Sequence, residues 1–195
     1  MSQTGEETIL GSREDLRIET VELEEYFPLR VQNWWAYATD DGSISLQIVD
    51  MQNVGGDDCF VMEASFDGES VQKEFYFLDP VGIWLYKRDF GETNFSYEPP
   101  YPVLMAPLEQ NRSWSWSGKC GYSLVDVSLR VEGEDRVEVP GGAFVSLRIS
   151  MEQWTPYEQI LCTRWFAPGI GMVKEESTFN NMTFRALLED FSVDS

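Results

Sequence analysis

A strict alternation of apolar and polar residues limits the folds that this chain can adopt. Apolar side chains occupy every second position over residues 125–132 and again over residues 145–152. A period of two places successive side chains on opposite faces of a strand, so both segments are typical of a sheet with one dry and one wet face. Shorter strands separated by Gly-, Asp- and Pro-containing turns recur between residues 34 and 88. Together they predict an antiparallel meander of about nine or ten strands.

Such a sheet must close or be covered to bury its apolar face. We therefore predict a mainly all-β fold: a strongly curved antiparallel sheet, either a half-barrel or a sandwich. Residues 90–112 contain four prolines, Pro99, Pro100, Pro102 and Pro107. Because proline disfavours central strands and helices, this segment is predicted to be a Pro-rich covering loop. The C-terminal segment, residues 183–191, fits a strand or a short helix, and the all-β context favours a strand.

The chain divides into an arm and one domain. Residues 1–25 are rich in Glu and Asp, with Arg13 and Arg17 as the basic residues. This composition predicts a partly disordered acidic arm. Residues 26–195 are predicted to form a single antiparallel β-domain that begins at Tyr26-Phe27-Pro28-Leu29.

The charge balance disfavours some classes of partner. The sequence has 34 acidic and 14 basic residues, a net charge of −20. This charge repels phosphate backbones and anionic membrane surfaces, so no nucleic-acid partner is predicted. The sequence contains no apolar window long enough for a membrane span and no recognisable signal peptide. A cytoplasmic location is expected, or export if a leader has been removed. Oligomeric state stays open.

The absence of histidine limits the available chemistry. Ser-His-Asp and Cys-His catalysis and most zinc sites require that residue. Cys59, Cys120 and Cys162 are far apart in the sequence, which favours buried thiols, with one disulfide as the alternative for an exported protein. The acidic turns lack calcium-loop spacing. No catalytic residue, metal site or cofactor is therefore predicted, and the protein is expected not to be an enzyme. A carboxylate-dependent glycan hydrolase remains a weaker alternative.

The aromatic residues suggest a binding groove. Trp114 and Trp116 share one strand face, as do Trp84 and Tyr86. An open aromatic face would stack on a sugar or enclose an acyl chain, whereas a closed one would only fill the core. The leading hypothesis is a non-catalytic domain that binds an apolar or amphipathic small molecule. Its predicted ligand-binding residues are Trp84, Tyr86, Trp114 and Trp116 as the wall, with Tyr101 and Met105 as the cover. The alternative is an assembly protein that docks a partner through edge strands or the acidic arm.

Three segments carry a family resemblance. They are residues 26–29 with Asn33-Trp34-Trp35-Ala36-Tyr37, residues 139–144 (Val-Pro-Gly-Gly-Ala-Phe), and residues 165–174 (Trp-Phe-Ala-Pro-Gly-Ile-Gly-Met-Val-Lys). They resemble motifs of uncharacterised bacterial β-rich domains that are often exported or lipid-anchored. In that pattern a glycine stands where this chain has Gln32. The resemblance implies a lipoprotein-carrier-like fold, a curved antiparallel sheet around an apolar groove, and it implies no catalytic residues.

Overall fold

The protein is a closed β-barrel, seen in a computed structural model that describes residues 23–194. Each of twelve strands pairs antiparallel with its neighbours in the sequence, and the first pairs with the last. The prediction of an all-β antiparallel fold is confirmed, whereas the half-barrel or sandwich is corrected to a closed barrel. The strands are β1 (Trp34–Thr39), β2 (Gly42–Val54), β3 (Asp57–Phe66), β4 (Glu69–Asp79), β5 (Gly82–Asp89), β6 (Asn94–Met105), β7 (Ser113–Cys120), β8 (Ser123–Val139), β9 (Gly142–Trp154), β10 (Gln159–Ala167), β11 (Gly171–Phe179) and β12 (Met182–Ser192).

The contact between β1 and β12 turns the meander into a barrel. Their ladder runs from the pair Trp34–Ser192 to the pair Thr39–Ala186. Two side chains of β1 also reach past β12. The indole N–H of Trp35 donates a hydrogen bond to the Ile170 carbonyl at 2.6 Å, and the Tyr37 hydroxyl donates to the Met172 carbonyl at 2.8 Å. Closure pairs the two strands that would otherwise be sheet edges.

Most of the Pro-rich segment, including Pro99, Pro100 and Pro102, is strand β6, so the prediction of a covering loop is wrong. Proline has no N–H to donate, and the ladder between β6 and β7 is correspondingly short, with two residue pairs near Tyr97. Side chains of β7 instead donate to proline carbonyls that the short ladder leaves unpaired. The indole of Trp114 donates to the Pro102 carbonyl at 3.2 Å, and that of Trp116 donates to the Pro99 carbonyl at 3.1 Å. Two tryptophans thus join a strand pair that backbone hydrogen bonds alone hold weakly.

The chain ends fit the predictions in part. The C-terminal segment is strand β12, as its context favoured. Most of the predicted acidic arm, residues 1–22, lies outside the described residues. Residues 23–26 form one helical turn before Pro28, and Leu23, which falls within the predicted arm, is fully buried.

The three motifs of the family resemblance meet at one end of the barrel. The Gly169 amide donates to the Glu25 carbonyl at 2.7 Å, beside the bond from Trp35 to Ile170. The Gly141 amide donates to the Leu188 carbonyl at 2.8 Å. Residues 23–33 therefore lie against turn 168–170, while turn 140–141 lies against β12. We refer to this end of the barrel as the closed end.

The backbone at Gln32 explains the glycine of the family pattern. Its φ is +81°, in the left-handed region that favours glycine, and its amide donates to the Ile48 carbonyl at 2.8 Å. A side chain in this region costs roughly 1–2 kcal/mol.

We predict that Gln32→Gly stabilises the protein. Relief of the left-handed strain exceeds the added chain entropy, so the free energy of unfolding should rise by about 1 kcal/mol in urea titrations. Gln47→Gly is the matched control, since Gln47 is exposed within strand β2. It should lower the same free energy by roughly 0.5–1 kcal/mol. Equal destabilisation by both changes would contradict this account of Gln32.

Candidate ligand cavity in the barrel

A closed barrel of twelve strands encloses more space than a barrel with fewer strands. A barrel of about eight strands has an interior that side chains just fill, whereas larger barrels leave a lumen. One half of this interior is filled by aromatic packing. The rings of Tyr97, Tyr101 and Trp116 lie 5.6 to 5.8 Å apart, centroid to centroid, and Trp114 is buried beside them in the same core. The surplus volume is left in the other half.

That other half contains a cavity of about 500 Å³. Its volume lies within the range of about 300–1,000 Å³ that is typical of ligand pockets. Strands β1–β4 and β10–β12 supply most of its lining, and Val103 of β6 adds one more apolar side chain. The middle of the cavity is apolar, with Met62, Ala64 and Met172 on its surface. The strand alternation recognised in the sequence thus produces an internal apolar surface that is only partly filled.

The cavity is open at one end of the barrel and blocked at the other. Phe66 and Val71 flank the β3–β4 turn, line the cavity and are 37% and 50% exposed. The floor is formed by Phe27, whose ring lies 5.3 Å from that of Tyr76 and 6.2 Å from that of Phe166. Because Phe27 belongs to the closed end, a ligand would enter past Phe66 and Val71.

Two ion pairs stand between the cavity and the filled half. Arg164 Nε lies 2.7 Å from Glu175 Oε2, and Arg88 Nε lies 2.7 Å from Glu74 Oε1. We call these four residues the ionic wall. Glu74, Arg164 and Glu175 line the cavity directly, while Arg88 reaches towards the Tyr97 ring of the filled half.

Neighbouring side chains complete the hydrogen bonding of Glu74. The Tyr76 hydroxyl donates to one carboxylate oxygen, and Gln72 Nε2 donates to the other at 2.8 Å. Together with Arg88, they give this carboxylate three donors. A partly buried charge held in this way is compensated within the protein.

The arginines of the ionic wall and the nearby Cys162 and Tyr101 keep their protons at neutral pH. The Glu175 carboxylate raises the pKa of Arg164 further above its ordinary value. Burial works against the charge of Arg88, but Glu74, Tyr97 and Tyr76 outweigh it and raise its pKa as well. Burial raises the pKa of Cys162 to about 11 and that of Tyr101 to about 12. A nucleophilic role for the Cys162 thiol is therefore disfavoured.

The structure separates the six ligand-binding residues predicted from the sequence. Trp114, Trp116 and Tyr101 are in the filled core, and Met105 packs against it. Trp84 and Tyr86 lie on the opposite face of β5 from the buried Ile83 and Leu85. There Trp84 stacks on Phe77 at 6.1 Å, and Tyr86 packs against a small outer cluster of Cys59, Val61 and Phe75. None of the six lines the cavity, so the predicted wall is not one surface.

Sequence reasoning missed the ionic wall. Arg164 lies two positions after Cys162, on the same face of its strand, and Glu74 is likewise two positions before Tyr76. The signal in the sequence was a charged residue at a strand position whose side chain, by the alternation, faces the barrel interior. The partner of each charge depends on which strands become neighbours, which the alternation alone does not determine.

Among residues 23–194, no group of three or more Cys, Asp or Glu side chains is placed to hold a metal ion. All three cysteines are free, with Cys59 and Cys162 buried, as the thiol interpretation expected. No helix in the described part of the chain has the length and apolar character required to cross a membrane.

Residues 122–184 match the DUF3108-like family. This match covers β8 to the start of β12 and confirms the resemblance to an uncharacterised β-rich bacterial family. No curated protein matches the chain.

Two solved structures are similar to this chain. A candidate lipoprotein from Parabacteroides distasonis is 14% identical, with a TM-score of 0.50 over 86% of this chain and 98% of that one. A candidate exported protein with a YmcC-like fold from Bacteroides fragilis is 15% identical, with a TM-score of 0.47 over 86% of this chain and 99% of that one. One is named as a lipoprotein and the other as an exported protein, and these names describe those two proteins. At this identity the likeness to the Parabacteroides protein concerns the fold alone.

The hydrogen bonds of Trp114 and Trp116 predict a structural role for both. Trp116→Phe removes the donor to Pro99 and leaves a carbonyl without its partner. The free energy of unfolding in urea should fall by about 1–3 kcal/mol, and Trp114→Phe should act similarly. Trp154→Phe is the control, because Trp154 is 37% exposed on β9. It should change stability by less than about 0.5 kcal/mol. Equal effects at Trp116 and Trp154 would contradict the role of these indoles in joining β6 to β7.

Proposed function

We propose that this protein is a non-catalytic domain that binds an apolar or amphipathic small molecule inside its barrel. The observation that carries the proposal is the cavity of about 500 Å³, which is mostly apolar and reached past Phe66 and Val71. An apolar chain that enters it leaves water on all sides. Each Å² of apolar surface buried contributes about 25 cal/mol before the entropy of association is subtracted.

The rigidity of the site supports binding. The floor residues Phe27 and Phe166 are held by ring contacts, and the closed end is fixed by backbone hydrogen bonds. A cavity that exists before the ligand arrives requires little ordering on binding, which favours affinity.

The two alternatives have less support. In the assembly hypothesis, edge strands dock a partner, but β1 and β12 pair with each other. Its acidic arm falls largely outside the described residues. A glycan hydrolase needs one carboxyl group free to donate a proton to the scissile bond. Glu74 and Glu175 each accept a hydrogen bond from an arginine at 2.7 Å, which leaves neither positioned as that donor.

Filling the cavity tests the proposal directly. Ala64 lies two residues before Phe66, the last residue of β3, and lines the cavity, so Ala64→Trp places an indole where the ligand would lie. Binding of the uncharged fluorophore N-phenylnaphthylamine should weaken by at least about tenfold, or 1.4 kcal/mol. The melting temperature should stay the same or rise, since the indole fills empty space.

The matched control is Ala143→Trp, at an exposed position of strand β9. It should leave fluorophore binding unchanged. Two results would contradict the proposal: no fluorophore binding by the wild-type protein, or the same affinity in Ala64→Trp as in the control.

A further inference from the structure

We infer that the ligand is an uncharged amphiphile whose head group both donates and accepts hydrogen bonds, of the chemical class of a monoacylglycerol. The inference rests on the proposed function and assigns the ligand's polar end to the ionic wall. It follows from the charge balance of that wall and from the hydrogen-bonding groups that the wall leaves facing the cavity.

The ionic wall carries no net charge. Each of its two arginines is matched by one carboxylate at 2.7 Å. An added anion or cation in this enclosed space would have no uncompensated counter-charge. The cost of taking an isolated charge out of water would then oppose binding. A neutral head group avoids that cost and leaves the existing ion pairs intact.

The wall nevertheless offers hydrogen bonds to a ligand. Arg164 uses Nε for Glu175, and its guanidinium carries four further N–H donors that an acceptor in the cavity can engage. Its side chain is 29% exposed and lines the cavity, as does Glu175, which is 16% exposed. The Arg164–Glu175 bond involves one carboxylate oxygen, Oε2. The pair therefore presents a donor and an acceptor side by side, which a hydroxyl-bearing head group matches.

The charge of the whole molecule makes a cationic ligand the most demanding comparison. A net charge of −20 attracts cations and repels anions in solution. If the net negative charge of the protein determined which ligand binds best, a cationic amphiphile would bind best. If the ionic wall determines it, an uncharged amphiphile binds best despite that net charge.

The test is competition for the cavity by three amphiphiles of equal alkyl length. Monolaurin, laurate and dodecyltrimethylammonium, each below its micelle concentration, are titrated against bound N-phenylnaphthylamine at neutral pH. Monolaurin should displace the fluorophore at a concentration lower by at least about tenfold than either ion, a difference of 1.4 kcal/mol.

Removing one charge from the ionic wall tests whether the wall causes the preference for an uncharged amphiphile. Glu175→Gln retains an oxygen acceptor for Arg164 but removes its counter-charge. Laurate should then gain at least about tenfold in affinity relative to monolaurin. Glu63→Gln is the matched control, because it removes the same charge from an outer pair with Lys73, 3.2 Å apart. It should leave the order of preference unchanged.

Each outcome separates this inference from the proposed function. Fluorophore binding with laurate or dodecyltrimethylammonium as the best competitor would overturn the inference and leave the proposed function standing. An unchanged preference in Glu175→Gln would overturn it as well. Absence of fluorophore binding to the wild-type protein would overturn both. If Glu175→Gln does not fold, the double variant Arg164→Gln/Glu175→Gln restores a neutral wall. It should keep the preference for monolaurin, and a preference for laurate would overturn the inference.

Discussion

Pairing of β1 with β12 closes the sheet into a barrel, and this closure sets the size of the interior and the position of the cavity. It abolishes the sheet edges, and it also fixes an interior larger than a small barrel can fill with side chains. Side chains fill the interior of the barrel unevenly. Large aromatic residues occupy the half beneath β5–β9, and the other half keeps a cavity of about 500 Å³. The ionic wall lies between them, where paired charges tolerate partial burial.

Hydrogen bonds of the buried Asn33 hold the closed end of the barrel together. Asn33 is 2% exposed, donates from Nδ2 to the Pro28 carbonyl at 3.0 Å, and accepts the Asp194 amide at 2.9 Å. It thereby joins the segment before β1 to the chain after β12. Motifs from distant parts of the sequence converge on this end because closure brings the first and last strands together. Their short, turn-like character reflects a structural task, and the cavity surface is supplied largely by other residues.

The sequence predicted local structure well and long-range structure poorly. Alternation over residues 125–132 and 145–152 correctly indicated strands, because side-chain period is a local property. Strand β6 was missed, since its prolines are tolerated only where Trp114 and Trp116 supply hydrogen bonds from a neighbouring strand. The predicted aromatic wall was split because strand phase places Trp84 and Trp116 on opposite faces of the sheet. The pairing of Arg164 with Glu175 depends on strand neighbours, and the cavity depends on closure, which no local pattern encodes.

The most direct test of the account is methyl NMR of the methionines during titration with N-phenylnaphthylamine. Met62 and Met172 line the cavity, whereas Met105 belongs to the groove that the sequence suggested and Met51 is exposed on the outside of the barrel. Binding in the cavity should shift the methyl signals of Met62 and Met172 together and saturably, while those of Met105 and Met51 stay in place. A saturable shift of Met105 without Met62 and Met172 would contradict it and place the ligand elsewhere in the fold.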